Sequence, residues 1–445
     1  MTSKRTTLSG PQDKTMLKHL KLTNIGPADT ALEFGTRLNL ITGDNGLGKS
    51  FLLDIAWWAM TRKWPAEVNP KLTAGKIALP TDKKKKAEIG FSFTGVSKTK
   101  ANVIAFEPRL QSWNIPRGRP ANPGLVFYAM ADGSFAVWDP ARNYWKTRAD
   151  DALDRPPAYV FSPKEVWDGL QRDDGSWLCN GLIRDWASWQ KEKGRALDYL
   201  VAVLASLSPS SAERLQPGAL TRISLDDVRD MPTLKMPYGQ DVAVVHASSG
   251  MRRIISLAYF LVWCWEEHLK AKELLGEEPE TKTTFLIDEV ESHLHPRWQR
   301  TVVPALMQVM AKLTTSAKVQ LIAVTHSPLI MASVEPQFDD QQDTWWDLDL
   351  VRHQGNRTPT VVFSNRRFVR LGDVSRWLVS EAFDLGSARS LEVEDVLEQA
   401  AQILSEEVID HAKAKALDVK LRTLLGDTDP FWVRWRFVGE KQGWL

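Results

Sequence analysis

Gly43-Asp44-Asn45-Gly46-Leu47-Gly48-Lys49-Ser50 fits the pattern G-x-x-x-x-G-K-S/T, and the types and spacing suit phosphate chemistry. Glycines let backbone N–H groups turn inward and surround phosphate oxygens. A lysine there supplies a point charge to the β and γ phosphates, and a serine hydroxyl suits Mg²⁺. Gly43, Asn45, Gly46, Gly48, Lys49 and Ser50 are therefore candidate ligands of a nucleoside triphosphate, with Ser50 also a metal candidate. The competing reading is a structural glycine turn. An apolar run from Arg37 to Ile41 before it and an apolar helical stretch from Phe51 to about Met60 after it weigh against that.

Three further groups accompany this loop. Phe285-Leu286-Ile287-Asp288-Glu289 is a buried strand running into two carboxylates. At a strand's carboxyl end Asp288 can serve Mg²⁺, and Glu289 can orient and deprotonate a water. The alternative is a helix-capping aspartate beside a dipole-favoured glutamate. Thr325-His326-Ser327 ends the next apolar strand, where His326 can reach a γ-phosphate or simply cap the strand. Ser248-Ser249-Gly250-Met251 opens a strongly apolar helix, so Ser249 and Gly250 form either a second anion site or an ordinary N-cap.

The elements that must position these groups alternate strand and helix, which predicts an α/β fold. Short alternating segments at 87–93, 103–106, 125–130 and 134–138 read as an antiparallel β meander. From Pro163 to Leu207 the period becomes helical, with Trp167, Leu170, Trp177, Trp186 and Trp189 among the apolar positions. One helix is expected from about Pro296 to Leu313, and helices again from about Val374. The expected organisation is a polar, disordered leader over 1–14, an N-terminal part with the glycine loop and meander over 15–162 and a helical lobe over 163–245. The C-terminal part follows over 246–373 and a helical extension over 374–445.

Of the 445 residues, 43% are hydrophobic and 25% charged, and the net charge is +2, which excludes a disordered or collagen-like chain. The two cysteines, Cys179 and Cys264, can build neither a disulfide framework nor a metal site of the usual spacing. A reducing, cytoplasmic setting is the expectation. No apolar run approaches the roughly 20 residues a membrane span needs.

In their order, the four motifs resemble those of P-loop ATPases of the ABC class, in particular the soluble branch that includes SMC, RecF-type and OLD-type proteins. The resemblance implies an ABC ATPase head with an antiparallel β meander and a helical lobe. It implies ATP and Mg²⁺ bound at Gly43, Gly46, Gly48, Lys49 and Ser50. Asp288 would be the Mg²⁺-side aspartate, Glu289 the catalytic glutamate and His326 the switch histidine. Two copies would sandwich ATP head to tail, Ser249 and Gly250 of one facing the γ-phosphate held by the other. The signature reads SSGMRR rather than LSGGQ, so Arg252 or Arg253 could add charge there and transporter-like coupling is doubtful. His293 and His295, after the glutamate, read as a structural turn rather than a metal site. Gln111 is a candidate for the Mg²⁺-sensing glutamine.

The segments DGSFAVWDPARNYW, GLIRDWASWQ and DPFWVRWRFVGEKQGWL further resemble the ATPase subunit of Septu-type or retron-associated antiphage systems, whose partner is a small HNH nuclease. That implies a homodimer, or a higher oligomer built from dimers, regulating a separate nuclease and sensing or binding nucleic acid. The alternatives are a DNA-repair or chromosome-associated ATPase and, further off, a transporter subunit. A built-in nuclease is not expected from Asp347-Leu348-Asp349 or Asp427-Thr428-Asp429. Arg352, Arg357, Arg366, Arg367, Arg370 and Arg376 could track a phosphate backbone or form a solvated surface. Trp432, Trp435 and Trp444, interleaved with Arg434 and Arg436, could dock a protein or pack internally.

Overall fold

The computed structural model describes residues 16–94, 102–115, 121–143, 156–313, 318–352, 358–406 and 408–445. The chain divides into two compact units, one up to Arg370 and the other Leu371–Leu445.

Two sheets organise the first unit. One is antiparallel, in the order β2-β1-β4-β5-β6, from β1 (Leu17–Thr23), β2 (Thr30–Glu33), β4 (Glu88–Phe93), β5 (Asn102–Glu107) and β6 (Ser112–Trp113). The other has the order β17-β16-β3-β15-β14-β7-β8-β9. Its members are β3 (Leu38–Gly43), β7 (Leu125–Ala129), β8 (Phe135–Trp138), β9 (Tyr159–Phe161), β14 (Lys282–Ile287), β15 (Lys318–Val324), β16 (Thr344–Val351) and β17 (Thr360–Arg366). Neighbours from β16 to β7 run parallel, and β17, β8 and β9 add antiparallel edges. Strands buried on both faces read as near-continuous apolar runs, and the five residues Leu38 to Thr42 of β3 and Thr283 to Ile287 of β14 are all buried, with Asn39, Thr42, Thr283 and Thr284 the polar members.

Helix α1 (Lys49–Thr61) lies between the sheets. Its Leu52, Leu53, Ile55, Trp57, Trp58 and Met60 share one core with Leu20 of β1, Phe91 of β4, Leu286 of β14 and Ile322 of β15. A helix apolar all round belongs inside a protein. The short α2 (Pro65–Val68) follows it. On the other flank run α3 (Pro163–Asp168), α4 (Leu182–Glu192), α5 (Arg195–Ser206) and the long α6 (Ser249–Leu275). The Phe260 ring of α6 stacks on Phe135 of β8, with ring centroids 4.4 Å apart. Helices α7 (Pro296–Gln299), α8 (Val302–Leu313) and α9 (Pro328–Val334) complete the unit. None of the described helices is long and apolar enough to cross a membrane.

The α/β class expected from the sequence is the class observed, with three local differences. The meander is split: β4 and β5 stay in the antiparallel sheet, but β7 and β8 join the central one. Alternation was the wrong reading for β7, whose LVFYA is buried at every position and stacks Phe127 on Phe285 of β14. Leu170 and Trp177 are not in helices. They sit in a hairpin of β10 (Leu170–Gln171) and β11 (Trp177–Cys179), closed by a turn in which Gly175 takes φ 82° and Asp174 accepts from the Ser176 N–H. A second hairpin pairs β12 (Thr233–Lys235) with β13 (Asp241–Ala243). The stretch expected as one helix from Pro296 to Leu313 is two, α7 and α8.

The second unit holds α10 (Val374–Leu378), α11 (Leu391–Ser405), α12 (His411–Leu424) and α13 (Phe431–Gln442). Val396, Ala400, Leu417, Leu421, Trp432, Trp435 and Trp444 form its core. The rings considered for docking are thus interior, with Trp435 and Trp444 edge to face at 4.5 Å. Trp435 Nε1 donates to Asp418, and Trp432 Nε1 to the Gly426 carbonyl. Burying large apolar rings in this small bundle outweighs leaving them on its surface.

Candidate functional site

Parallel pairing puts the carboxyl ends of β3, β15 and β14 side by side. Ile41 is opposite Val324, and Ala323 opposite Ile287. The glycine loop, Thr325-His326 and Asp288-Glu289 therefore emerge along one crest, as ligand sites in open α/β sheets do.

The loop needs its glycines for specific reasons. Gly43 has φ 126°, and a Cβ there would lie 2.2 Å from the Leu348 carbonyl oxygen. Gly48 has φ 94° and is the left-handed N-cap of α1, leaving the first N–H groups of that helix bare. Asn45 and Gly46 are exposed on the rim. Lys49 is buried, and its Nζ donates to the carbonyls of Gly43 (2.7 Å) and Asp44 (2.6 Å). Burial pulls its pKa below the ordinary value, while Asp288, Asp44, Glu289 and Glu291 oppose that.

Asp288 is buried, and its N–H donates to the Ala129 carbonyl at 2.9 Å, fixing the end of β14 against β7. Burial raises its pKa, a hydrogen bond from the Ser50 side chain lowers it, and Glu289 raises it again. Its Oδ1 is buried without a hydrogen-bond partner. Glu289 is half-buried with φ 45°, uncommon for a residue with a side chain. The next N–H, of Val290, donates to the Val324 carbonyl and ties this turn to β15. Burial pushes the His326 pKa down, and Lys49 pushes the same way, so the imidazole is neutral at neutral pH.

Ser248, not Ser249, caps α6, its side chain accepting from the Met251 N–H at 3.3 Å. Ser249 is the first helical residue and is exposed. Gly250 is buried where a Cβ would come within 2.6 Å of the His293 carbonyl oxygen, so only glycine lets the two backbones meet. Arg252 is exposed, whereas Arg253 turns inward. Its Nη2 donates to the Asp288 carbonyl at 3.4 Å, and its Nη1 is buried with no partner.

The crest holds groups the motifs did not announce. Asp54 is one turn beyond Ser50 on α1 and accepts from the Tyr128 hydroxyl of β7 at 2.9 Å. Burial raises its pKa to about 7, with Tyr128 opposing and Asp288 adding to the rise. Its only sequence signal is a lone carboxylate within an apolar helix. Glu291 accepts from Thr325 Oγ1 (2.7 Å) and from the His326 N–H (2.5 Å). Its two-residue spacing from Glu289 was visible, but its partners lie just past the end of another strand, β15.

Other candidates fall elsewhere. Gln111 sits in the turn between β5 and β6 and donates to the Pro108 carbonyl. His293 takes φ 62° in a turn, and His295 caps α7. Asp347 is fully buried and accepts from Thr42 Oγ1, joining β16 to β3, while Arg366 pairs with Asp349 across β16 and β17. Arg357 lies outside the described residues. Both cysteines are buried, and burial raises the Cys179 thiol to about 12.

Comparison with known proteins adds three kinds of finding. The family model described as "AAA domain, putative AbiEii toxin, Type IV TA system" matches residues 38–332. The Septu protein PtuA of Bacillus thuringiensis is 22% identical over 325 residues, 70% of this chain and 72% of that protein. The Retron Vc95 probable ATPase of Vibrio cholerae serotype O1 biovar El Tor is 29% identical over 119 residues, 25% of this chain and only 20% of its own length. An SMC head domain from Thermotoga maritima aligns over 78% of this chain and 98% of its own, with 15% identity and a TM-score of 0.36. The resemblance to ATPases of antiphage systems read from the sequence is borne out by the family and the two defence relatives.

Proposed function

We propose, from the premise that the chain belongs to this AAA-domain family, that it binds and hydrolyses ATP and thereby regulates a partner nuclease in antiphage defence. The observation carrying the reading is the crest itself. A buried lysine is parked on two loop carbonyls, beside a serine–aspartate pair and a glutamate held in a strained turn.

Lys49 exchanges those carbonyls for β and γ phosphate oxygens, and the bare N–H groups at the start of α1 face the same charge. The Ser50–Asp288 pair fits Mg²⁺, since a buried carboxylate oxygen without a partner suits a cation. When bound, the ion withdraws charge from phosphate oxygens. Glu289 orients the attacking water and takes its proton. His326, neutral, hydrogen-bonds the γ-phosphate. Ser249, exposed at the start of α6, faces the γ-phosphate of a second copy in a head-to-tail dimer. The likeness to the Septu protein PtuA supports a defence system with a separate nuclease partner; in this reading that partner is of the HNH type and reads the opening and closing of the dimer.

The test is Glu289→Gln mixed with ATP and Mg²⁺. Turnover falls about 10²- to 10³-fold while nucleotide still binds. Light scattering then shows a stable dimer that wild type forms only transiently. Wild-type turnover, or a variant that stays monomeric with ATP bound, sinks the reading.

A further inference from the structure

We infer that Glu291 is the positioning residue for His326, holding the histidine at the crest from the turn that follows a different strand. The inference rests on the proposed role of His326 at the γ-phosphate, and it deepens that role by naming what sets the imidazole's place.

The argument begins with the backbone. β15 ends at Val324, and the chain leaves the sheet at Thr325, whose N–H still donates to the Ile41 carbonyl at 3.0 Å. From His326 onward the sheet supplies no donor or acceptor. Helix α9 restarts regular structure only at Pro328, which has no N–H to give. Ser327 is itself held, capping α9 through a hydroxyl that also donates to Gln299 Oε1 at 2.7 Å, so what remains to be held is the peptide carrying His326. Glu291 fills that gap with both oxygens. Oε1 accepts the His326 N–H at 2.5 Å, and Oε2 accepts the Thr325 hydroxyl at 2.7 Å. Thr325 in turn accepts the Ser327 N–H at 3.0 Å, so one carboxylate organises three consecutive residues.

The carboxylate is itself well anchored. Val290 donates to Val324 across the strands, Ser292 donates back to the Glu289 carbonyl, and Leu294 donates to the Glu291 carbonyl. The segment that carries Glu289 at one end thus grips the histidine loop at its middle. Further along, the His293 carbonyl rests on Gly250 at the start of α6. Burial raises the Glu291 pKa, while the His326 N–H, the Thr325 hydroxyl and the Glu291 N–H lower it and Glu289 raises it again. The two-pronged acceptor fixes the direction as well as the place of the next side chain.

The experiment compares wild type, Glu291→Ala, Glu291→Gln and Thr325→Val as full chains, with thermal unfolding to check folding. Glu291→Ala lowers kcat about 10- to 100-fold while the ATP KM stays within about threefold, because the phosphate-binding loop is untouched. Glu291→Gln keeps an oxygen for the His326 N–H and recovers most of the rate, and Thr325→Val falls between. Independently of turnover, amide hydrogen exchange over residues 323–329 speeds up in Glu291→Ala without nucleotide. Unchanged exchange, or a folded Glu291→Ala with wild-type kcat, overturns the inference. If wild type itself fails to hydrolyse ATP, the proposed function fails, and exchange alone decides whether Glu291 orders the His326 loop.

Discussion

The crest of the central sheet and the Leu371–Leu445 bundle are built on opposite terms. In the bundle most local rules agree with one another, although Asp384 takes φ 49° and Trp444 Nε1 is buried without a hydrogen-bond partner. Asp373, Ser390 and Asp410 cap α10, α11 and α12 through their side chains, and the tryptophans bury their rings. At the crest the rules are broken repeatedly. Glu289 takes a positive φ, Asp288 leaves a carboxylate oxygen without a partner, and Lys49 and Asp54 are buried charges or near-charges. Each feature costs stability in the free protein, and each is offset if a triphosphate and a cation arrive. The difference teaches where to look for chemistry: where sequence-level consistency fails while the surrounding core stays well packed.

That contrast can be broken experimentally. Lys49→Ala should produce the largest change at the crest, weakening ATP binding about 10³-fold or more while leaving the melting temperature nearly unchanged. Isothermal titration against ATP measures it, and an unchanged affinity would show that Lys49 is only a core residue. Trp435→Ala should do the reverse. It removes a fully buried ring and the donor to Asp418, destabilising the helical unit by about 3–5 kcal/mol. Denaturant unfolding followed by fluorescence would detect that, and a loss below about 1 kcal/mol would mean the bundle collapses around the gap.

Asp54→Asn sharpens the comparison through pH. The folded pKa of about 7 lies above the ordinary aspartate value of 3.8, so folding favours the protonated carboxyl. The stability this group contributes is full below about pH 4 and is lost as pH rises through 7. Asn cannot ionise, yet it keeps an acceptor for Tyr128. The variant should therefore gain on wild type as pH rises from 4 to 8, by up to about 4 kcal/mol, the carboxyl titrating near 7 when folded and near 3.8 when unfolded. Parallel stability curves across that range would show that Asp54 is not strained. The facing groups are Tyr128, the Gly75 backbone, Asp288 and Asp132, so the Asp288 charge should be checked with Asp288→Asn.

Much of the crest was legible in advance because its chemistry is local in sequence. The glycine loop, Asp288-Glu289, His326 and the serine-glycine turn are short strings with their own spacing, and the structure sets them at three adjacent strand ends and one helix start. What stayed hidden was pairwise and distant. Asp54 means little until Tyr128 is beside it, and Glu291 means little until His326 is. The split meander was missed for a related reason. A fully apolar five-residue run such as β7 reads alike in either sheet, and only its partner β14 decides which.

The sequence alone determined the glycine loop, the α/β class and the order of the motifs, because those depend on residue type, short spacing and hydrophobic period. Tertiary structure decided which strand ends meet, that the tail's tryptophans are core rather than surface, and which carboxylate holds the histidine. Those outcomes come from long-range pairing and burial, where the energy belongs to two segments together and neither one carries it by itself.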